Sequence, residues 1–195
     1  MKLTHKLDEI IEQWNIHKNE RPLSIPDWCW NQPNANEPYY TFLHLLIQIT
    51  RAKIVVELGT EHGTSGLFMA TALHETKIIS IAARPELISD LQKIAQNHKL
   101  TNLIPICGWS TVPETVSQAT AHGLIDILFI DTEHTCTQAT SEYQTYLPYM
   151  SSDGIIVHDD IYFSDDMTKY WNSLPNPKRT ISELHWTGFG ITGGG

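Results

Sequence analysis

Residues 53–73 read KIVVELGTEHGTSGLFMATAL. Their interpretation decides the fold. KIVVEL (53–58) is a short strand of the buried type, and SGLFMATAL (65–73) reads as a helix. Between them lies ELGTEHGTSG (57–66), with the spacing Glu57-x-Gly59-x3-Gly63. A glycine-rich turn from strand to helix lets a ligand approach the backbone closely. In a doubly wound sheet this turn sits at the carboxyl edge, beside the point where strand order reverses and ligands bind.

Working outward, the same alternation continues. KIISIA (77–82), NLIPIC (102–107), IDILFID (125–131) and GIIVHD (154–159) read as strands. Helices are expected at 85–98, with Pro85 in the first turn, and at 112–121, 137–150 and about 165–174. RTISELHW (179–186) and GFGIT (188–192) read as two last strands. Strands alternating with helices imply an α/β fold, a doubly wound, mostly parallel sheet covered on both faces. Upstream, Leu7, Ile10, Ile11 and Trp14 share one helical face within residues 5–17. Residues 21–38 carry four prolines and read as an irregular loop containing Trp28-Cys29-Trp30. Residues 38–50 form a helix opened by Pro38. The chain is expected to be a single domain, 1–195. Residues 1–50 would cover the site, and 51–195 would be the α/β core.

Composition narrows the function classes. The chain has 195 residues, 41% hydrophobic and 18% charged, and a formal net charge of −9. That balance is globular, and the acidity disfavours nucleic acid and anionic membrane as partners. Cys29, Cys107 and Cys136 form no CxxC pair, so neither a zinc ribbon nor a disulfide scaffold is indicated. MKLTHKLDEI has no apolar signal region, and no run reaches the ~18 residues of a membrane span, so a cytoplasmic location is expected.

The turn is neither the GxGxxG of dinucleotide enzymes nor a Walker A loop. None of the seven tyrosines has a lysine four residues later, which sets short-chain dehydrogenases aside. E-x-G-x3-G after a first strand resembles motif I of the class I S-adenosylmethionine-dependent methyltransferases. The β/α order from about residue 38 to 192 is similar to that family's seven-stranded sheet, with GFGIT as its antiparallel last strand. The resemblance implies cofactor contacts from Glu57, Gly59, Glu61, Gly63 and Ser65. Gly108 and Ser110 would flank adenine, Trp109 would stack on it or pack, and Asp131 would approach the amino-acid part. One position departs from the pattern. Ala82 stands where the family usually has an acid gripping the ribose, and Glu86 is the next acid along. Trp28-Cys29-Trp30 would close over the pocket or pack.

The remaining motif is acidic. FIDTEH ends the fourth strand at Asp131, and VHDD ends the fifth at Asp159 and Asp160. In this architecture those strands are neighbours, so three carboxylates meet in one crevice. Like charges that close need a counter-ion, and a hard divalent cation such as Mg2+ takes carboxylate oxygens. The set Asp131, Asp159, Asp160 resembles the metal site of the catechol O-methyltransferase family, which has Asp, Asp and Asn. The third aspartate is as in sugar O-methyltransferases and cephalosporin-hydroxylase-like relatives. ELGT, FID and GIIVHD together resemble the methyltransferase 24 group. His134, three residues after Asp131, stands where the catechol type has a lysine, and is the candidate general base. His158 should face away from Asp159 by strand alternation and is read as structural. Asp165 and Asp166 are expected to cap the next helix.

The resemblance therefore implies metal-assisted O-methylation of a small hydroxyl-bearing molecule, a sugar or natural-product intermediate. The alternatives are a repurposed metal site on this fold, such as a hydrolase, or a non-catalytic subunit. The apolar surface of the N-terminal helix and aromatic loop is compatible with a homodimer.

Overall fold

Runs of valine, isoleucine and leucine form the centre of one sheet. The structure, a computed structural model, describes residues 3–17 and 24–194. The strands are β1 (Ile54–Leu58), β2 (Lys77–Ala82), β3 (Leu103–Cys107), β4 (Ile125–Ile130), β5 (Met150–His158), β6 (Lys178–Thr180) and β7 (Gly190–Gly193). Their order is β3-β2-β1-β4-β5-β7-β6. The pairs from β3 through β5 are parallel, and β7 runs antiparallel to both β5 and β6. The expected fold is therefore the observed one: a seven-stranded, Rossmann-like methyltransferase sheet.

Alternation divides the aliphatic side chains between two faces. Val55, Ile78, Ile127, Phe129, Ile155 and Val157 enter one core. Val56, Leu58, Ile79, Ile81, Leu128 and Ile156 enter the other. Helices α1 (Leu3–His17), α2 (Asp27–Trp30), α3 (Pro38–Thr50), α4 (Thr64–Ala70) and α5 (Pro85–Asn97) contribute side chains to the first core. Helices α6 (Pro113–Thr120) and α7 (Cys136–Tyr146) contribute to the second, and α8 (Asp165–Ser173) packs beside α7. Helix α3 is buried continuously from Tyr39 to Ile47, as a helix apolar all round must be.

Several boundaries differ from expectation, each for a local reason. Trp28-Cys29-Trp30 belongs to the helical turn α2, inside the segment read as irregular; residues 21–23 of that segment lie outside the described residues. Helix α7 stops at Tyr146 and tightens into a 3-10 turn through Pro148. Strand β6 has only three residues, so Ile181–Trp186 is not strand. Ser164, not an aspartate, caps α8, accepting from the Met167 N–H at 3.2 Å. Asp166 instead accepts from the Cys136 N–H at the start of α7, at 2.7 Å. Strand β7 begins at Gly190 and runs on to Gly193, past the expected GFGIT.

His158 sits inside the sheet as alternation requires. Nε2 meets Thr192 Oγ1 at 3.0 Å and Nδ1 meets the Tyr170 hydroxyl at 2.8 Å, joining β5 to β7 and α8. Burial pushes this imidazole down to about 3, with Lys178 adding to the effect. Its folded pKa lies below the unfolded value of about 6.5, so its contribution is complete above that pH. The contribution is lost as pH falls toward about 3. Removing the group by His158→Gln should therefore cost less at pH 5 than at pH 7.5. Wild type should lose about 2 kcal/mol more than the variant over that range, read by urea denaturation at each pH.

Candidate functional site

The parallel strands finish level because each turn begins by bonding to its neighbour. Gly59 and Thr60 both donate to Ile81 O at 3.0 Å, and Gly108 donates to Ala82 O at 2.9 Å. Asp131 donates to Leu58 O and Asp159 to Ile130 O, each at 3.0 Å. This stitching aligns the ends of β1 to β5. The order reverses between β1 and β4, where a crevice opens.

Two cavities occupy that edge. The larger, 480 Å³, runs along the ends of β2, β1 and β4, past Ala82, Arg84, Trp109, Ser110 and Gln138. The smaller, 240 Å³, is walled by Asn34, Glu37, Tyr39, Tyr40, the acids and His185. Gly59, Glu61 and Asp131 border both.

Asp159 and Asp160 are consecutive, and in a continuing strand they would face opposite ways. Asp160 adopts φ 57°, a left-handed conformation that asparagine and aspartate tolerate better than most residues. The strand ends there, and both carboxylates face one crevice. His185 Nδ1 lies 3.0 Å from Asp159 Oδ1 and 3.1 Å from Asp160 Oδ1. His134 Nε2 lies 3.0 Å from Asp160 Oδ2 and 3.4 Å from Asp131 Oδ1. Thr187 donates its hydroxyl to Asp160 Oδ1.

The electrostatics follow from that arrangement. Hydrogen bonds to Asp131 and then Asp160 push His134 up to about 10. Asp159 and then Asp160 push His185 up to about 10. Burial works to raise Asp160, but His134, His185 and Thr187 outweigh it and hold the carboxyl below its ordinary range. Burial, then the Asp159 charge, raises Asp131. Burial also raises Asp159, against the pull of His185. The counter-ions in this structure are thus two histidines. His134 stands beside Asp131 as expected, and the two carboxylates raise its basicity.

Sequence reasoning missed His185 because RTISELHW was read as one strand. The usable signal was GFG after it: Gly188 adopts φ 85° and returns the chain to β5 through Ile161 N–H to Gly188 O, 3.2 Å. It also missed a buried network beneath the larger cavity. Gln138 donates to Glu142 Oε1 at 2.9 Å and to Ser110 Oγ at 3.2 Å, and Thr132 donates to Glu142 Oε2 at 2.7 Å. Burial raises Glu142 despite these donors.

The other expected residues divide as follows. Gly108 and Ser110 line the larger cavity, and Gly63 and Ser65 the smaller. Glu57 lies beneath the turn and on neither cavity wall, where it accepts the Ser65 hydroxyl. Burial raises its carboxyl. Glu86 is exposed and off the cavity; Glu61 lies 3.9 Å from Arg84 Nη2, two residues past the end of β2. Trp109 stays 61% exposed on the larger cavity's wall. Trp28 stacks on His98 at 3.7 Å and Trp30 packs on Phe68, so this aromatic segment is anchored to the core. Among the described residues, the ionisable groups close enough to share one metal ion are Asp159, Asp160 and His185. Asp131, the third expected ligand, falls outside that group and is bound through His134.

Sheet order, glycine turn and acidic strand ends define a methyltransferase of the class I fold. Residues 56–161, more than half the chain, match the methyltransferase 24 family, described as a methyltransferase domain, and the chain belongs to that family. No curated protein matches at a significant level. Solved structures with the same fold include a Staphylococcus aureus protein provisionally described as a caffeoyl-CoA O-methyltransferase. It is 14% identical, with TM-score 0.71 and coverage of 94% of this chain and 97% of that one. An SAH-bound methyltransferase from Podospora anserina is 12% identical, with TM-score 0.67 and coverage of 98% and 96%. An O-methyltransferase from Bacillus cereus in complex with SAH is 17% identical, with TM-score 0.65 and coverage of 96% and 89%. No helix among the described residues is long and apolar enough to cross a membrane.

Gly59 holds the junction of the two cavities together. Its φ is 96°, and a Cβ there would lie 1.7 Å from the Asp131 carbonyl oxygen. Gly59→Ala should force β1 and β4 apart at their ends and cost about 2–4 kcal/mol, from strain plus overpacking. Thermal and urea denaturation would measure the loss; an unchanged melting temperature would contradict it.

Proposed function

We propose that this protein is an S-adenosylmethionine-dependent, divalent-metal-assisted O-methyltransferase acting on a small molecule with neighbouring oxygens, a sugar or natural-product intermediate. The observation that carries this reading is the pair of cavities meeting at Gly59, Glu61 and Asp131. One has the volume of a nucleotide-sized ligand, within the usual range for small-molecule sites. The other is small and polar, as a polyhydroxyl acceptor requires.

The residues present fit both bound groups. Ser110 and Gln138 offer adenine-directed polar atoms, and Trp109 offers a ring. Glu61 and Arg84 flank the end of β2, where Ala82 carries no acid. Asp131 offers a carboxylate to an ammonium. Asp159, Asp160 and His185 would hold the cation. When bound, S-adenosylmethionine supplies an electrophilic methyl group, and a divalent cation supplies Lewis acidity at the acceptor hydroxyl.

The chain's own residues do the rest. Gly59 lets the two binding cavities abut, so donor and acceptor meet without a wall between them. Tyr39 and Tyr40 wall the acceptor side, their rings tilted against each other at 4.4 Å between centroids. His134 holds a proton at Nε2 between Asp131 and Asp160. As those carboxylates are neutralised by other partners, its basicity falls toward the ordinary value near 6.5. It can then exchange a proton with an acceptor hydroxyl held at the junction of the cavities, which His134 approaches from the larger one beside Asp131. A second reading, a repurposed site that no longer methylates, draws support from Ala82 alone.

Calorimetric titration of S-adenosylmethionine and S-adenosylhomocysteine should give micromolar dissociation constants. Asp131→Asn should weaken binding about tenfold, the loss expected for one charge-assisted hydrogen bond. Asp160→Asn should leave cofactor affinity within about twofold, since loss of one cation ligand leaves the larger cavity intact. Absence of binding up to millimolar concentration would remove the methyltransferase reading and leave the second.

A further inference from the structure

We propose that Asp159, Asp160 and His185 form a site selective for a first-row transition-metal dication, with His185 ligating through Nδ1, in place of the Mg2+ that an all-carboxylate site would take. The inference rests on the reading above for the cation's role in methyl transfer, but its geometry is independent of any substrate.

Three observations carry it. The first is the donor set. Mg2+ and Ca2+ are hard ions served by oxygen, whereas an imidazole nitrogen suits iron, nickel and zinc. The second is spacing. His185 Nδ1 lies 3.0 and 3.1 Å from one oxygen of each aspartate. Neighbouring ligands on an ion with bonds of about 2.1 Å stand about 3.0 Å apart, so His185 Nδ1 already stands at ligand spacing from both aspartates, and the three groups offer ligand atoms within 4.8 Å of one another. The remaining positions open toward the smaller cavity, which these residues help to wall.

The third observation is support from outside the ligand set. His134 Nε2 holds the other oxygen of Asp160, at 3.0 Å. The Thr187 hydroxyl donates to Asp160 Oδ1. The His185 ring packs on Tyr39, 5.4 Å between centroids. Partners of this kind fix ligand orientation and weigh heavily in metal affinity. The left-handed backbone at Asp160 belongs to the same design, because it brings two consecutive carboxylates to one side. Against this stands a simpler view, in which His185 is only the counter-ion of two buried acids.

The test uses full-length protein stripped with a chelator and titrated with Mn2+, with Mg2+ as competitor, following free Mn2+ by electron paramagnetic resonance. The expected result is Mn2+ binding at least tenfold tighter than Mg2+, with a 14N coupling in the pulsed spectrum of the bound ion. His185→Asn, which replaces nitrogen by an oxygen donor, should abolish that coupling. It should also weaken Mn2+ about 10–100-fold, narrowing the preference over Mg2+. Equal affinities with no 14N coupling would overturn the proposal, as would a wild-type protein that binds neither ion. Titration of S-adenosylhomocysteine into the same preparations separates the two readings. Cofactor binding without metal selectivity refutes only this inference; metal binding without cofactor refutes only the methyltransferase.

Discussion

Three carboxylates at one sheet edge must be neutralised, and the architecture of the site follows from how this is done. The level ends of β4 and β5 leave Asp131, Asp159 and Asp160 no room to separate. An unpaired buried charge is costly, and removing one partner of a buried pair is costly too. Two loops therefore deliver cations to this edge. The segment after β4 brings His134, and the segment between β6 and β7 brings His185. Each imidazole bridges two carboxylates. The pairing fixes the loops as much as the loops fix the pairing. Phe163, 5.2 Å from His134, and Tyr39, 5.4 Å from His185, complete the packing around both rings.

The same crowding gives the glycines a different meaning from the one the motif suggests. A turn of the form E-x-G-x3-G invites the explanation that glycine makes room for a ligand. At Gly59 the atom displaced by a Cβ is the Asp131 carbonyl oxygen, and at Gly63 it is the Leu91 side chain. Both glycines are demanded by the protein's own packing. Glu57 likewise faces inward, bracing β1 to the start of α4 through Ser65. The turn's shape is an internal requirement, and the cavity is a consequence of the shape.

This explains what was legible in the sequence and what was not. Strand and helix order could be read because period 2 and period 3.6 are local properties; right-handed crossovers left few topologies, and the strand neighbours came with the family resemblance. His158 could be placed because alternation is local as well. The convergence of the acids was legible because strand ends in a parallel sheet share one edge. Their partners were not. His185 comes from a loop whose path depends on Gly188 and on bonds to residues 161 and 162, far away in sequence. Asp166 shows the same limit. Its sequence position suggested a cap for its own helix, but Ser164 took that role and freed the aspartate to cap α7. Local competition between two capping residues has no winner until the neighbouring helix is placed.

The departure at Ala82 can be argued in the same terms. An acid at the end of β2 would add a fourth carboxylate to an edge that already holds three beside two histidines. Here β2 ends at Ala82, followed by Ala83 and Arg84, and Glu61 of the first turn lies opposite Arg84 at 3.9 Å. Both side chains are more than half exposed, so the pair is screened and contributes little to stability. Its significance lies in position. Glu61 borders both cavities, whereas a residue at Ala82 borders only the larger one. Moving the charge from the strand end to the turn places it at the junction where a cationic donor and its acceptor would meet. On the proposed reading Glu61 would bear on both ligands from the same point as Asp131, in place of a grip on one end of the cofactor.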